Sequence, residues 1–507
     1  MANYGFAIDL PKCIGCHACT IACKSEHEIP VGVNRCWVKT VEKGSFPDTK
    51  RFFLPVLCNQ CDDAPCVTIC PTNTLFKRRD GIVDFNSDSC IGCRACMAAC
   101  PYDQIFIDPN THTAEKCNFC ANRVENKLQP ACVSVCPTEC RIFGDLDDPT
   151  SEVAQIIARQ AVTVRRPEKG TKPKIFYIGA EQAAIQPEVA ARPFMYKEGQ
   201  VVMRPLGSVE EDPAQPGAPR VDYDVPHKQA WGLDMALYLL TKGISTGAML
   251  ISSALWLSGD QSPLVAFAGP FIAFLFSILT AFVLVLDLER PERFLLILTR
   301  PNWSSWMARG AFILAAHGGL ATAWLLSYAI GLNGLIDWIA LLAFPVALAA
   351  TAYTGLLFAQ GLARDLWQGP HATIDLIAQA MAEGAAVMLM AAVFFSGDAE
   401  TVRRLAITLA WSAFAHLLLL AVENLFTPSP TVHHELAVQT IRYGIFRRKF
   451  WYGALGLGGV APFIGVWLAS LFGFSLILLV PTALVALIGA LVWEYVWVEA
   501  GQAVPNS

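Results

Sequence analysis

The sequence predicts a cysteine-rich α+β domain followed by an all-α membrane domain of eight transmembrane helices. Three observations carry that prediction. All 18 cysteines of the 507-residue chain, and most of its charge, lie within residues 1–230. Sixteen of these cysteines form four quartets that share one spacing theme. Residues 231–498 hold long apolar runs, and about 20 apolar residues suffice to cross a bilayer. The formal net charge of −5 provides no basic field, which argues against nucleic acid as a partner. A disulfide framework is the other common use of many cysteines, but it belongs to short secreted chains.

The first quartet is Cys13, Cys16, Cys19 and Cys23, in CIGCHACTIAC. The second is Cys58, Cys61, Cys66 and Cys70, and the third is Cys90, Cys93, Cys96 and Cys100. The fourth is Cys117, Cys120, Cys132 and Cys136. In a C-x-x-C-x-x-C run, tight turns let three thiolates meet one iron–sulfur cube, and Gly15 and Gly92 permit the positive φ such turns use. The fourth cysteine of a run lies out of that cube's reach and ligates a partner cluster. Pro71, Pro101 and Pro137 follow three of these fourth cysteines, while Lys24 takes that place in the first quartet. The pattern predicts an α+β ferredoxin-like domain with four [4Fe–4S] clusters, built as two modules with one inserted in the other. Zinc ribbons also use C-x-x-C pairs, but zinc does not account for four successive quartets with a trailing proline. Cys36 and Cys140 stand outside the pattern and read as small buried hydrophobes. Lys12, Arg94, Lys116 and Arg123 adjoin ligand cysteines; they are either charges that raise a cluster's potential or solvated surface.

Residues 3–178, including CRIFGDLDDPTSEV and KPKIFYIG, resemble the four-cluster iron–sulfur subunits of the complex iron–sulfur molybdoenzymes, such as dimethyl sulfoxide and polysulfide reductases. The resemblance implies that the first quartet pairs with the fourth and the second with the third. One cube then takes Cys13, Cys16, Cys19 and Cys136, and its partner takes Cys117, Cys120, Cys132 and Cys23. The other pair takes Cys58, Cys61, Cys66 with Cys100, and Cys90, Cys93, Cys96 with Cys70. Some relatives lack a cysteine at the position of Cys93 and hold a three-iron cluster there, so Cys93 implies a full cube. The family's order puts the cluster of Cys90, Cys93, Cys96 and Cys70 nearest the membrane, and that of the first quartet nearest a catalytic partner.

The electron-transfer domain is expected over residues 1–179, a linker over 180–230 and the membrane domain over 231–507. The linker is rich in Pro, Gly, Ala and acidic residues, as in SVEEDPAQPGAP, and shows no hydrophobic period. Eight spans are expected at 233–257, 263–286, 307–330, 335–359, 373–395, 404–426, 451–471 and 474–498. An even number puts both ends of the module on the side of the cysteine domain. Cluster-side loops carry Arg290, Arg293, Arg300, Arg309, Arg364, Arg442, Arg447, Arg448 and Lys449, against Arg403 and Arg404 opposite. That bias makes the cluster side of the inner membrane cytoplasmic, and the opening MANYGFAIDLPKC shows neither a secretory nor a twin-arginine signal. The competing reading is that the basic loops simply contact an acidic iron–sulfur domain that faces the periplasm.

The stretch DLERPERFLLILTRPNWSSWMARGAF at 287–312, Gly243 to Gly247, and the ending EYVWVEAGQ resemble the NrfD/PsrC family of quinone-binding membrane anchors. The resemblance implies two four-helix bundles, no haem, and a quinone (menaquinone or ubiquinone) site near the cluster-side membrane surface. Asp234, Tyr238 and Lys242, spaced i, i+4, i+8, share one face of the first span. Ionisable groups in lipid are costly and face the bundle interior, where Tyr and Lys donate to a quinone carbonyl and Asp relays a proton. Tyr353 is the candidate on the fourth span. His317, Glu383, His416 and Glu423 lie deeper and form either a proton path or interhelical hydrogen bonds.

The sequence carries no P-loop, dinucleotide fingerprint or pterin domain. The resemblances therefore imply an electron-transfer and membrane-anchor subunit that links a molybdopterin (Mo or W) catalytic partner to membrane quinone. A stand-alone ferredoxin:quinone oxidoreductase and a redox-driven proton-translocating module are the alternatives.

Overall fold

A computed structural model of the protein describes residues 2–190, 195–197, 200–202, 217–395 and 398–506. The N-terminal unit is built from β1 (Tyr4–Asp9), α1 (Ala18–His27), β2 (Cys36–Lys43), β3 (Lys50–Leu57), α2 (Pro65–Ile69), α3 (Ala95–Ala99), α4 (Ala131–Ser134), β4 (Arg141–Asp145), β5 (Val162–Thr163), β6 (Ile175–Ile178) and β7 (Arg220–Tyr223). One sheet has the order β4-β1-β6-β5. Phe6 of β1 sits opposite Phe143 in the antiparallel register and opposite Ile175 in the parallel one. The sheet thus joins the two ends of the domain around the segment between them, the arrangement an inserted module requires. Phe6, Ile8, Ile175 and Tyr177 are buried on it, as alternate strand residues facing a core should be.

The second sheet, β7-β2-β3, changes the reading of the linker. Arg220 pairs with Glu42 and Val221 with Val41, so 220–223 form an edge strand of the electron-transfer domain. Ala183, Ala184 and Ile185 are also buried. Between these segments 195–197 pair with 200–202, and most of the rest of the expected linker lies outside the described residues. Composition misses this because a short strand that borrows its partner from 36–43 carries no hydrophobic period of its own.

The membrane unit contains α5 (Leu233–Leu257), α6 (Leu264–Leu286), α7 (Trp306–Ala329), α8 (Asn333–Ala359), α9 (Ala372–Ala391), α10 (Ala399–Phe426), the short α11 (Val432–Arg442), α12 (Lys449–Leu471) and α13 (Leu476–Ala503). Eight of these are long and apolar enough to span a bilayer. α5 to α8 pack as one four-helix group; α9, α10, α12 and α13 pack as the other. α5 and α9 join the groups. An added Cβ on Gly247 would stand 1.7 Å from the Ala380 carbonyl oxygen, and one on Gly384 would stand 2.3 Å from the Gly247 carbonyl carbon. Small residues let these two backbones touch, the usual solution where lipid removes the hydrophobic drive for helix association. α13 ends at Ala503 rather than at 498. Its last turn is polar yet buried, because the Gln502 side chain accepts from the backbone N–H groups of Ala230 (2.8 Å) and Trp231 (3.1 Å). Hydropathy falls there while the helix continues.

The loop between α6 and α7 grips the cysteine domain. Arg293 donates to the Ser87 carbonyl at 2.7 Å and the Cys90 carbonyl at 3.2 Å. The Asn302 amide reaches the Cys70 carbonyl at 2.8 Å, and the Ser305 hydroxyl reaches that of Ile69 at 2.6 Å. On the other bundle Arg364 meets Asp103 at 3.2 Å, and Lys169 pairs with Asp365. Several of the cluster-side basic residues therefore serve the domain interface, whereas Arg447 and Arg448 are exposed.

Candidate functional site

The cysteine runs form their turns as the glycines predict. Gly15 and Gly92 have φ of +68° and +71°, and His17 and Arg94, two residues later, have +58° and +60°. Each CIGC run thereby wraps its thiols inward. Cys13, Cys16, Cys19 and Cys136 line one cavity, with Cys140 beside them. Cys58, Cys61, Cys66 and Cys100 line a second, and Cys70, Cys90, Cys93 and Cys96 a third. Cys23, Cys117, Cys120 and Cys132 are near enough to act on one another electrostatically. Among the described residues no three Cys, His, Asp or Glu side chains converge on one point as a single metal ion needs. Sulfurs spread around a cavity suit the corners of a polynuclear cube, so the donor set fits iron–sulfur clusters.

Of the four cations beside ligand cysteines, Lys116 is fully buried and donates to the Cys117 carbonyl at 3.1 Å. Arg94 pairs with Asp287. Lys12 and Arg123 are salt-bridged to Asp9 and Glu26 at the surface. The cation that sequence reasoning missed is Arg141, 2% exposed, whose guanidinium donates to Cys19 Sγ at 3.3 Å and Cys36 Sγ at 3.2 Å. Cys36 and Cys140 are buried as expected, but they are not simple fillers: Cys140 Sγ lies 3.5 Å from Cys136 Sγ. Hydrogen bonds and positive charge at cluster sulfurs raise the potential. Arg141 also acts on Cys132, so Arg141→Leu should lower the midpoint potentials of the clusters of Cys19 and Cys132 while leaving the other two in place, as read by EPR-monitored redox titration.

A cavity of about 420 Å3 opens among α5, α6, α7 and α8, within the range usual for small-molecule sites. Its walls are mostly apolar, with Met235, Phe274, Ile278, Leu314 and Leu357 among them. Its polar groups are Tyr238, Tyr353, Ser277, Thr322 and Asp287, and Cys93 and Trp231 also line it. The Tyr238 and Tyr353 hydroxyls lie 2.5 Å apart, and Tyr238 also reaches the Thr354 hydroxyl at 3.1 Å. The Trp231 indole donates to the Cys93 carbonyl at 3.1 Å, linking a cluster turn to the cavity wall. Asp287, just past the end of α6, pairs with Arg94, and burial pushes its carboxyl up to about 6 against the pull of that guanidinium.

Tyr238 and Tyr353 thus meet in one cavity. Lys242 does not line it. It lies behind the tyrosines, 2% exposed, donates to the Thr354 hydroxyl, and sits 5.4 Å and 5.5 Å from the two ring centroids. It does not snorkel to an interface. Asp234 is corrected: it is exposed in the first turn of α5 and outside the cavity. Residues four apart drift around a helix by about 40° each step, so a file of three does not stay on one line. His317 approaches the Ser245 hydroxyl at 3.0 Å, which lies 2.9 Å from that of Ser277 on the cavity wall. His416 and Asp375 lie 2.6 Å apart, whereas Glu383 and Glu423 are buried in the second bundle.

The profile of the family described as "Polysulphide reductase, NrfD" matches residues 224–506, and that of the "4Fe-4S dicluster domain" matches 49–146. The B subunit of tetrathionate reductase from Salmonella typhimurium is 42% identical over 201 residues, 39% of this chain and 80% of that protein. The arsenate respiratory reductase iron–sulfur subunit ArrB of a Shewanella species is 38% identical over 222 residues, 34% of this chain and 95% of that protein. Protein NrfC of Escherichia coli is 45% identical over 180 residues, 35% of this chain and 80% of that protein. Each of these matches covers less than two fifths of the present sequence. The protein is a multi-pass membrane protein of the NrfD family, fused in one polypeptide to an electron-transfer domain of the family of iron–sulfur reductase subunits.

Proposed function

We propose that this protein carries electrons between a molybdopterin (Mo or W) catalytic subunit and the quinone pool of the inner membrane, through four [4Fe–4S] clusters. The clusters, when bound, supply one-electron storage and transfer. The polypeptide's own part is to hold them by the four mixed sets of cysteines named above and to fix their spacing. In this reading residues 1–179, together with the strand Arg220–Tyr223, are the electron-transfer domain and 231–507 the quinone-binding domain. The cluster side is cytoplasmic, a reading supported by the exposed Arg447 and Arg448, which the domain interface does not use.

The observation that carries the reading is that Cys93 lines the same apolar cavity as Tyr238 and Tyr353. A quinone headgroup there lies beside a cluster ligand and within reach of two phenolic donors. Reduction of a quinone forms two O–H bonds, so donors at its carbonyls act on the charge that develops. Asp234 is left out of the site, and Lys242 supports it from behind the tyrosines. His317, Glu383, His416 and Glu423 are assigned to proton traffic. The partner is tested by affinity isolation of the protein from native membranes. A large subunit containing molybdenum or tungsten should co-purify, and recovery of the protein alone would overturn that assignment.

A further inference from the structure

From the quinone cavity a file of buried ionisable side chains runs into the second bundle. It starts at Lys242, which connects through the Thr354 hydroxyl to Tyr238 and Tyr353. Lys242 acts electrostatically on Glu383 and Glu494, whose carboxyls face each other. Glu383 of α9 presses on α5, since a Cβ on Gly243 would stand 1.8 Å from Glu383 Oε2. Both carboxylates are 2% exposed. Apart from each other, these carboxyls leave both Glu383 oxygens and Glu494 Oε2 without a hydrogen-bond partner among the described residues.

Glu494 also borders a cavity of about 10 Å3, the space of roughly one water, together with Asp375, Gln379 and Glu423. Asp375 continues to His416 at 2.6 Å. Glu423 ends the file. A Cβ on Gly369 would stand 2.9 Å from its Oε1, and the neighbouring Gln368 and Pro370 are exposed on the cluster side. At 1.5 Å per residue, Lys242 lies about 14 Å into α5 and Glu383 about 17 Å into α9, near the bilayer midplane.

The far half of the bundle is different. Residues 384–391 of α9, 405–415 of α10 and 476–493 of α13 contain no Asp, Glu, His, Lys or Arg, and neither do 243–257 of α5, 318–327 of α7 or 338–352 of α8. Isolated buried charges in lipid are expensive and mark ion or proton routes, whereas this layer, whose polar side chains are hydroxyls such as Ser252, Thr408 and Thr482 and indoles, holds no ionisable group to carry a proton.

We propose that Glu423, Asp375, Glu494, Glu383 and Lys242 form a proton half-channel that opens on the cluster side and ends at the quinone cavity. The proposal rests on the quinone reading above. Reduction of a quinone in the cavity uses two electrons from reduced clusters and two protons from cluster-side water, and forms one O–H bond at each carbonyl oxygen. Oxidation of quinol returns the protons to the same side. Turnover at this site moves no proton across the far half.

The test uses the full-length protein, its clusters reduced with dithionite and reoxidised by a water-soluble benzoquinone or by ferricyanide. In Glu494→Gln, reoxidation by quinone should slow about a hundredfold, in the range of a lost proton-transfer group. Ferricyanide, which takes electrons without protons, should oxidise the clusters at the parent's rate. Azide or formate, small proton carriers, should restore the quinone rate. An unchanged quinone rate, or a slow one that these acids do not rescue, overturns the proposal. Glu423→Gln at the channel mouth gives the same test if Glu494→Gln does not accumulate in membranes. In liposomes holding a trapped pH dye, external dithionite reduces only copies with clusters outward. The interior pH should then stay constant during quinone reduction, and interior alkalinisation overturns the sidedness. Failure of the quinone reading looks different: the parent itself is then reoxidised by ferricyanide but not by quinone.

Discussion

Tyr353→Phe should slow quinone-linked oxidation of the clusters by about a hundredfold, the scale of a lost donor at a developing oxyanion. The clusters should remain intact. The phenyl ring fits the same space, and only the hydroxyl that lies 2.5 Å from Tyr238 is removed. Tyr238→Phe should have a similar effect and should also release Thr354, to which that hydroxyl bonds at 3.1 Å. Both hydroxyls act on one cavity, so the double variant should be scarcely slower than either single one. Stopped-flow reoxidation of dithionite-reduced protein by quinone reads the effect, with ferricyanide as the oxidant that bypasses it. Equal slowing with both oxidants would place the defect in the electron-transfer domain and remove the tyrosines from the quinone site.

Cys93→Ala should convert the cube nearest the membrane into a three-iron cluster, at a cost of about one iron per protein molecule, and should impair electron exchange with quinone more than with ferricyanide. Cys93 lines the cavity of Tyr238 and Tyr353, and its carbonyl accepts from Trp231. The oxidised protein should gain the EPR signal of a three-iron cluster, and iron and sulfide analysis should show the loss. Substitution with neither change would mean that Cys93 is not a ligand.

How much of the molecule is legible in its sequence follows from which forces act locally. Lipid forces every span to be a long apolar helix, so hydropathy finds all eight, and it errs at the end of α13 because Glu499 and Gln502 are buried by contacts made elsewhere. The cysteines are legible because turn geometry fixes their spacing in sequence. Arg141 is not legible: its meaning comes from Cys19 and Cys36, which lie 122 and 105 residues away. The same holds for Asp287, which is defined by Arg94 at a separation of 193 residues, and for Glu494, which faces a carboxyl on another helix. Asp234 shows the opposite error, in which a periodic match is taken as shared burial. The strand at Arg220–Tyr223 is hidden because its pairing partner supplies the order.

In the proposed function the cluster turn at Cys93 and the cavity of Tyr238 and Tyr353 form one electron-exchange site with membrane quinone. It is tested most directly by reducing the purified full-length protein with dithionite, adding a menaquinone analogue, and following the iron–sulfur absorbance. The bleached absorbance should return completely, and should return slowly in Tyr353→Phe. Clusters that stay reduced with quinone yet are oxidised at once by ferricyanide would contradict it.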